Sequence, residues 1–330
     1  MNLGSHTRED LKRLQSLGWQ HKVMIAQTRI IEWYKHWNGQ VYVSFSGGKD
    51  STVLLHLVRQ LYPEVPAVYC DTGLEYPEVR AHVKTFKNVE FLRPSMDFRS
   101  VIAKYGYPVH SKEAAQRIEE LRHNPNGKAA VRFLTGKEED GTESAYGAKG
   151  LARSLIDAPF KISCRCCEVM KKRPFHAYTR KSGRKGINGM MANEGRRRET
   201  SYIKYGCNAF ELGEPSSRPL MTWTEQDVLR YIKYYGLQIP SVYGDIVPAP
   251  IEGDTEGQCE MFGDGKLMTT GVSRTGCMFC MFGAHLEKEP NRFQRMKKTH
   301  PRIWEYCLRP WDKGGLGMKE VLDFIGVKYE

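Results

Sequence analysis

No apolar run in this 330-residue chain approaches the roughly 20 residues that a membrane-spanning helix needs. The first residues lack the apolar stretch of a secretory signal peptide, so the expected setting is the cytoplasm, with no membrane partner. No internal repeat is visible. Acid is in short supply: 38 Asp and Glu face 50 Lys and Arg, a formal net charge of +12. That balance suits an anionic partner, whether nucleotide, sulfonucleotide or nucleic acid, and it also suits a basic surface that serves solubility. A Walker A loop is absent too: that motif needs a Gly separated by four residues from the Gly-Lys pair at 48–49, and Val43 stands there.

In its place stands Ser44-Phe45-Ser46-Gly47-Gly48-Lys49-Asp50-Ser51. This octapeptide follows the apolar run Val41-Tyr42-Val43 and opens the periodic segment Thr52 to Val58, which reads as strand, glycine turn, helix. Glycines let backbone N–H groups close around an anion, and the helix N-terminus adds the positive end of its dipole. Lys49 adds a formal charge. Further strands are expected at Ala67–Cys70 and Val89–Leu92, with helices over 51–62 and 77–87 between them. The alternation implies a doubly wound α/β fold with a parallel sheet covered on both faces. Ligands in such sheets sit at the carboxyl ends of strands, where Ser46–Ser51 and Asp71-Thr72-Gly73 both fall.

The rest of the chain divides by pattern. Residues 1–39 read as an N-terminal helical segment, with Leu11, Leu14, Leu17, Ile25, Ile30, Ile31 and Trp33 facing inward. Residues 40–243 read as the nucleotide-binding α/β domain, broken by a helical, mobile insertion at about 104–160. A strand end is expected within 186–191, and a helix over 225–232 with Thr224 as its N-cap. Residues 244–330 read as a C-terminal region, with a loop over 244–270 and helices over 287–308 and 317–325.

Nine cysteines in a cytoplasmic chain do not suggest a disulfide framework. Their clustering suggests a metal site instead: Cys164, Cys166 and Cys167 lie together, and Cys277 and Cys280 form a Cys-x-x-Cys pair. Clustered thiolates suit an iron–sulfur cluster or a tetrahedral zinc ion. Lys171, Lys172 and Arg173 would offset the negative charge of a cluster. The interleaving of Phe279, Phe282, Phe293, Trp304 and Trp311 with Arg292, Arg295, Lys297, Lys298 and Arg302 reads either as a nucleic-acid surface or as packed helices with solvated faces.

The loop resembles the PP-loop of the ATP pyrophosphatase and phosphoadenosine phosphosulfate (PAPS) reductase superfamily. Cys70-Asp71-Thr72-Gly73-Leu74-Glu75-Tyr76-Pro77-Glu78 resembles that family's Asp-Thr-Gly-x-x-aromatic-Pro-Glu segment. Gly195-Arg196-Arg197-Arg198-Glu199-Thr200-Ser201 resembles its Gly-x-Arg-x-x-Glu-Ser element, and Pro219 to Val228 its Pro-Leu-x-x-Trp-x-x-x-Asp-Val segment. Cys166 to Phe175, with Met170 where the pattern has Arg, and Gly276-Cys277-Met278-Phe279-Cys280 resemble the paired elements of its iron–sulfur branch, which implies that Cys166, Cys167, Cys277 and Cys280 hold a cubane 4Fe–4S cluster, with tetrahedral zinc as the rival and Cys164 as a spare.

The resemblance implies an adenine nucleotide alpha-hydrolase-like fold that binds ATP or a sulfonucleotide, either PAPS or adenylyl sulfate. Ser44, Ser46, Gly47, Gly48, Lys49, Asp50, Ser51, Asp71, Thr72 and Gly73 would line the nucleotide site, with Arg196, Arg197 and Arg198 as anion clamps. Lys49, Asp50 and Asp71 would be catalytic. If ATP is cleaved, an acid would help to hold Mg²⁺; otherwise Asp50 serves as a helix N-cap. Reductases of the family carry a catalytic cysteine in a Glu-Cys-Gly-Leu-His segment. The last cysteine here is Cys307, in Glu305-Tyr306-Cys307-Leu308.

Three functions are therefore expected in turn. The first is ATP-dependent adenylation with sulfur transfer, on nucleic acid among other acceptors and with a sulfur or electron donor protein. The second is sulfonucleotide reduction through another thiol such as Cys207 or Cys307. The third is nucleotide sensing without turnover. Self-association into a homo-oligomer is compatible with each.

Overall fold

A computed structural model describes residues 6–250 and 265–330. The chain forms two compact units, each assembled from distant stretches. The first comprises Met1–Asp71, Glu75–Leu92 and Phe175–Thr275; the second comprises Thr72–Leu74, Arg93–Pro174 and Gly276–Glu330. The division is not the linear one expected from the sequence. The N-terminal helices join the α/β unit, and the stretch containing the 104–160 insertion shares a unit with the C-terminal residues.

The first unit is built on six strands: β1 Val41–Ser44, β2 Ala67–Cys70, β3 Val89–Leu92, β4 Lys185–Asn188, β5 Asn208–Ala209 and β6 Ser216–Ser217. Their spatial order is β3-β2-β1-β4-β6-β5, parallel except for the β6–β5 pair. From β1 the chain winds outward to β2 and β3 on one side, then returns to β4 on the other. The reversal leaves a crevice beyond the carboxyl ends of β1 and β4, where open α/β sheets bind ligands. Both faces of the sheet are covered, which is why β1 and β2 read as unbroken apolar runs. Val41, Val43, Ala67, Tyr69 and Ile187 join the main core with Ala26, Ile30 and Trp33 of the helix Trp19–His36 and with Leu54, Leu57 and Val58 of the helix Lys49–Leu61. Tyr42 and Val68 pack on Tyr178 in a separate cluster.

Several expected elements take a different form. The 8–38 segment is two helices, Arg8–Gln15 and Trp19–His36, separated by Ser16-Leu17-Gly18. Leu11, Ile30 and Trp33 are buried, while Leu14, Leu17, Ile25 and Ile31 are half-buried. The 244–270 stretch is not loop throughout: Ile246–Pro248 pairs antiparallel with Leu267–Thr269. Three-residue strands flanked by Gly and Pro are too short to show a period of two. Residues 251–264 of that stretch lie outside those described. Asp50 is not a helix N-cap; Gly48 holds that position and Asp50 is the second helical residue. Thr224 does cap Glu225–Tyr235, in a reciprocal box with Asp227.

Burial of histidine gives the first unit an acid sensitivity. His56 Nδ1 lies 2.8 Å from Tyr231 Oη, and His82 Nε2 lies 3.3 Å from Thr52 Oγ1. Burial holds both imidazoles below the ordinary 6.5. Between those lowered values and 6.5 the unfolded chain binds more protons than the folded one, so stability is fully present above about pH 6.5 and falls as pH drops. The melting temperature should therefore decrease between pH 7.5 and 5.5, and less so in a His56→Gln/His82→Gln variant. An equal acid slope in that variant would rule the histidines out.

The second unit is mainly helical, with Phe98–Tyr105, Lys112–His123, Lys128–Thr135, Arg292–Thr299, Pro301–Leu308 and Met318–Phe324. The expected 287–308 helix is divided because Pro301 takes the first position of a new helix and ends the previous one at His300. Val109–His110 pairs parallel with Met281–Phe282, joining the insertion to the C-terminal stretch. Arg122 staples the 155–160 turn by donating to the carbonyls of Leu155, Ile156, Ala158 and Phe160. Of the aromatics that suggested a nucleic-acid surface, Phe279 and Phe293 are buried in the core. Trp304 carries the Lys297 ammonium 4.9 Å from its ring centroid, and Trp311 is exposed. Among the described residues, no helix is long and apolar enough to cross a membrane.

Candidate functional site

Beyond β1 the chain turns through Phe45, Ser46 and Gly47 into the helix Lys49–Leu61. Gly47 adopts φ +75°, and a Cβ there would stand 2.5 Å from Val83 Cγ2 and 2.8 Å from Val79 Cγ1. Both conformation and space therefore demand glycine. Ser46 Oγ lies 3.0 Å from Ser51 Oγ, and the hydroxyls of Ser51 and Thr52 each donate to Gly48 O at 3.0 Å, which fixes the loop against its helix. A Cβ on Gly189, just past β4, would lie 3.2 Å from Asp50 O, so the end of β4 presses on the loop.

Lys49 is 2% exposed, and the protein surrounds its ammonium. Nζ donates to Ser273 O at 2.9 Å and lies 3.2 Å from Glu225 Oε1 and 3.6 Å from Asp50 Oδ1. The Lys49 backbone N–H donates to Tyr243 Oη at 3.2 Å, and that hydroxyl lies 2.8 Å from Thr275 Oγ1. Burial pushes the Asp50 carboxyl above the usual range, opposed by Lys49 and Arg274. Asp50 Oδ1 is buried and has no hydrogen-bond partner. Two guanidiniums share this neighbourhood. Arg198 and Arg274 both bind the Glu194 carboxylate, and Glu194 Oε2 also accepts from Met191 N at 2.9 Å. Burial and the nearby Arg274 push Arg198 down, while Asp50 pulls it up.

The expected site residues thus separate. Lys49, Asp50 and Arg198 share one electrostatic neighbourhood. Arg196 and Arg197, the other members of the triple, are exposed. Asp71 at the end of β2 is engaged by Arg80, at 2.8 Å from Nη2 and 3.0 Å from Nε. Thr72 and Gly73 belong to the second unit, where Thr72 Oγ1 accepts from Leu74 N at 3.2 Å. Four participants were not anticipated: Glu194, Glu225, Tyr243 and Arg274. Arg274 lies 224 positions from Asp50, and nothing in its local context, Ser273-Arg274-Thr275, marks it. Only its basic charge just ahead of Gly276-Cys277 offered a hint.

The second unit gathers the cysteines. Burial pushes the Cys166 thiol up, and Cys277, Cys167 and Cys280 push it the same way. Cys280 is raised by burial and by Cys167, while Arg292 and Lys112 pull it down. The four expected ligands therefore lie within electrostatic reach of one another. Cys164 is raised by burial and by Glu119, and Arg165 and Lys112 oppose. A single π-helical turn, Glu168–Lys172, follows the tandem cysteines, a distortion often found at functional sites. Leu74 O accepts from Met278 N at 2.8 Å, anchoring the Cys277–Cys280 turn. Among the described residues, no group of three or more His, Cys, Asp or Glu side chains is gathered tightly enough to hold a single metal ion. The remaining described thiols, Cys70, Cys207 and Cys307, are buried. Burial raises Cys207 to about 11 and pushes Cys307 up as well.

Residues 40–137 match the phosphoadenosine phosphosulfate reductase domain. The chain is 28% identical over 112 residues to an adenosine 5′-phosphosulfate reductase of Bacillus cytotoxicus, covering 33% of this chain and 45% of the relative. It is 27% identical over 203 residues to sulfate adenylyltransferase subunit 2 of Mycolicibacterium vanbaalenii, covering 60% and 56%. The chain spans about half the length of the first curated relatives it matches. Among solved structures, a PAPS reductase of Candida auris in a phosphate complex aligns with 72% of this chain and 91% of its own, at 12% identity and a TM-score of 0.37.

Proposed function

We propose that the chain is a PAPS reductase-family protein that binds the phosphate or sulfate end of an adenine nucleotide on residues 46–51 and carries out adenylation coupled to sulfur chemistry. The observation that carries this reading is the convergence of Lys49, Arg198 and Arg274 around Asp50 at the N-terminus of a 13-residue helix, in the crevice where the strand order reverses. Three cations and a helix dipole match the charge of a pyrophosphate leaving group. Glu194 now neutralises the two guanidiniums, so an entering anion competes with a carboxylate for them. Asp50 Oδ1, ion-paired with Lys49 but without a hydrogen bond among the described residues, is a hard oxygen donor that fits Mg²⁺ if ATP is the substrate.

The relatives' names span both an adenylyltransferase and a reductase. Reduction of a sulfonucleotide by the family's route needs a low-pKa thiolate as nucleophile. Cys207 and Cys307 are buried and raised, which favours adenylation. Cys259 lies outside the described residues.

The donor set of the second unit fits a 4Fe–4S cluster. Cys166, Cys167, Cys277 and Cys280 influence one another electrostatically, and four soft thiolates suit the four irons of a cubane. Adjacent cysteines such as Cys166 and Cys167 are awkward ligands for one tetrahedral zinc ion but can reach two irons. When bound, such a cluster supplies one-electron chemistry or a site for handling sulfur. Arg292 and Lys112 hold positive charge beside Cys280, and the Arg292 guanidinium donates to Cys280 O.

A polyanionic acceptor is supported by the charge distribution. The second unit contains 26 Lys and Arg against 17 Asp and Glu, so it carries +9 of the net +12. Nucleic acid is the acceptor to test first.

Anaerobic protein should be mixed separately with ATP–Mg²⁺ and with adenosine 5′-phosphosulfate, assaying pyrophosphate and sulfite. Pyrophosphate from ATP is the expected product; sulfite without pyrophosphate would overturn the adenylation reading. Lys49→Met should weaken nucleotide binding by about 10- to 100-fold, since a charge-assisted hydrogen bond contributes about 1.5–3 kcal/mol. Arg198→Met and Arg274→Met should approach that loss, whereas Arg196→Met should leave affinity within about twofold. Equal losses at Arg196 and Arg198 in a titration would contradict the assigned geometry.

A further inference from the structure

Arg218 follows directly on β6 and is 4% exposed. Its Nη1 donates to Ser201 Oγ, while Nε and Nη2 have no hydrogen-bond partner. Among the described residues no carboxylate pairs with it; Cys207 and Tyr205 are the groups that favour its charge, and burial pushes the guanidinium down. A buried cation with no counter-charge is costly, and proteins retain one where something else compensates it. The two idle nitrogens are informative. Nε–H and Nη2–H point the same way along one edge of the guanidinium, the edge that grips two oxygens of a single anion.

The position agrees with this reading. β4 and β6 are parallel, with Gly186 opposite Ser216 and Ile187 opposite Ser217. One step further on lie Asn188 and Arg218, so both stand at the carboxyl edge of the sheet, on the side of the 46–51 loop. Asn188 Oδ1 is also buried and unpartnered, as is Thr222 Oγ1 in the turn after Arg218. That turn is tied to the other arginines through the chain: Met221 O accepts from Ala192 N at 3.0 Å, two residues before Glu194.

We propose that Arg218 is an oxyanion-binding residue whose Nε–Nη2 edge takes two oxygens of a phosphoryl or sulfuryl group, separate from the group held by Lys49. The proposal rests on the reading of this unit as a nucleotide-binding domain, and it assigns a second anion-binding position to it. The anion is either a second charged group of the nucleotide or a free oxyanion. Lysine cannot replace the arginine here, because an ammonium offers no parallel pair of donors.

The test compares wild type, Arg218→Lys and Arg218→Met by calorimetric titration with adenosine 5′-phosphosulfate, pyrophosphate and inorganic sulfate, alongside thermal melts with and without each. Arg218→Lys is expected to bind at least tenfold more weakly while melting close to wild type. Arg218→Met should lose the anion-dependent rise in melting temperature. If Met fails to fold, the Lys comparison stands alone. A loss seen with sulfate and pyrophosphate identifies a free oxyanion, and a loss confined to the nucleotide identifies one of its own groups; either supports the proposal. Wild-type binding that is unchanged in Arg218→Lys overturns it and leaves the loop reading intact. Wild-type protein that binds none of the three overturns both.

Discussion

Replacing any one of Cys166, Cys167, Cys277 or Cys280 with alanine is expected to strip iron and sulfide from anaerobically purified protein and abolish its brown colour. A cubane needs four thiolates, and each of these residues would hold one iron. In Cys166 the mutual influence is plain, since the other three thiols all raise it. Cys164→Ala is the control. Its thiol answers to Glu119, Arg165 and Lys112 rather than to the quartet, so its loss should leave the iron content unchanged. Nucleotide binding should survive in all five variants, because the proposed anion-binding residues Lys49, Arg198 and Arg274 belong to the other unit. Undiminished iron in the four quartet variants would remove the assignment. Stoichiometric zinc without sulfide in the wild type would replace the cluster with a zinc site.

The second large effect concerns the buried pair Lys22 and Asp227. Nζ donates to Oδ2 at 2.7 Å, and the two side chains are 2% and 5% exposed. Asp227 Oδ2 also accepts from the backbone N–H and the hydroxyl of Thr224, each at 2.7 Å, so one carboxylate serves both the ion pair and a helix cap. Lys22 O accepts from Trp223 Nε1 at 3.3 Å, which ties the helix Trp19–His36 to the same turn. Lys22→Met keeps the packing volume and leaves the carboxylate buried without a partner. Breaking one side of such a pair costs about 3–5 kcal/mol. In a unit of this size that lowers the melting temperature by roughly 10 °C. Lys22→Met/Asp227→Asn, which removes both charges and keeps a capping oxygen, should melt above Lys22→Met alone. A Lys22→Met protein melting within about 2 °C of wild type would show that the pair contributes little.

That pair also explains part of the Pro219 to Val228 segment, which resembled a family motif and invited a functional reading. Trp223 is fully buried in the core and Asp227 caps a helix, so both act on stability rather than on a ligand. The immediate neighbour Arg218, outside the matched motif, is the residue left with idle donors.

Sequence legibility followed the range of the interactions involved. Val41 to Ser51 could be read directly, since strand, glycine turn and helix are each dictated by neighbours a few residues apart. The Thr224 cap and the tandem cysteines were local in the same sense. The split of the 287–308 helix at Pro301 and the short strand pair at Ile246–Pro248 and Leu267–Thr269 were harder, because brief elements show too little periodicity.

By itself, then, the sequence determined the parallel α/β plan, the glycine turn at the end of β1 and the identity of the clustered cysteines. These rest on hydrophobic period, glycine conformation and close spacing of thiols, all of which are written locally. Only the tertiary structure decided that Arg198 of the triple shares the neighbourhood of Asp50, that Arg274 joins it from 224 residues away, that Asp71 is engaged by Arg80, and that Arg218 lies buried with no counter-ion among the described residues. Those outcomes depend on which distant side chains burial brings together, and the energy of a buried charge is set by its surroundings rather than by its place in the chain.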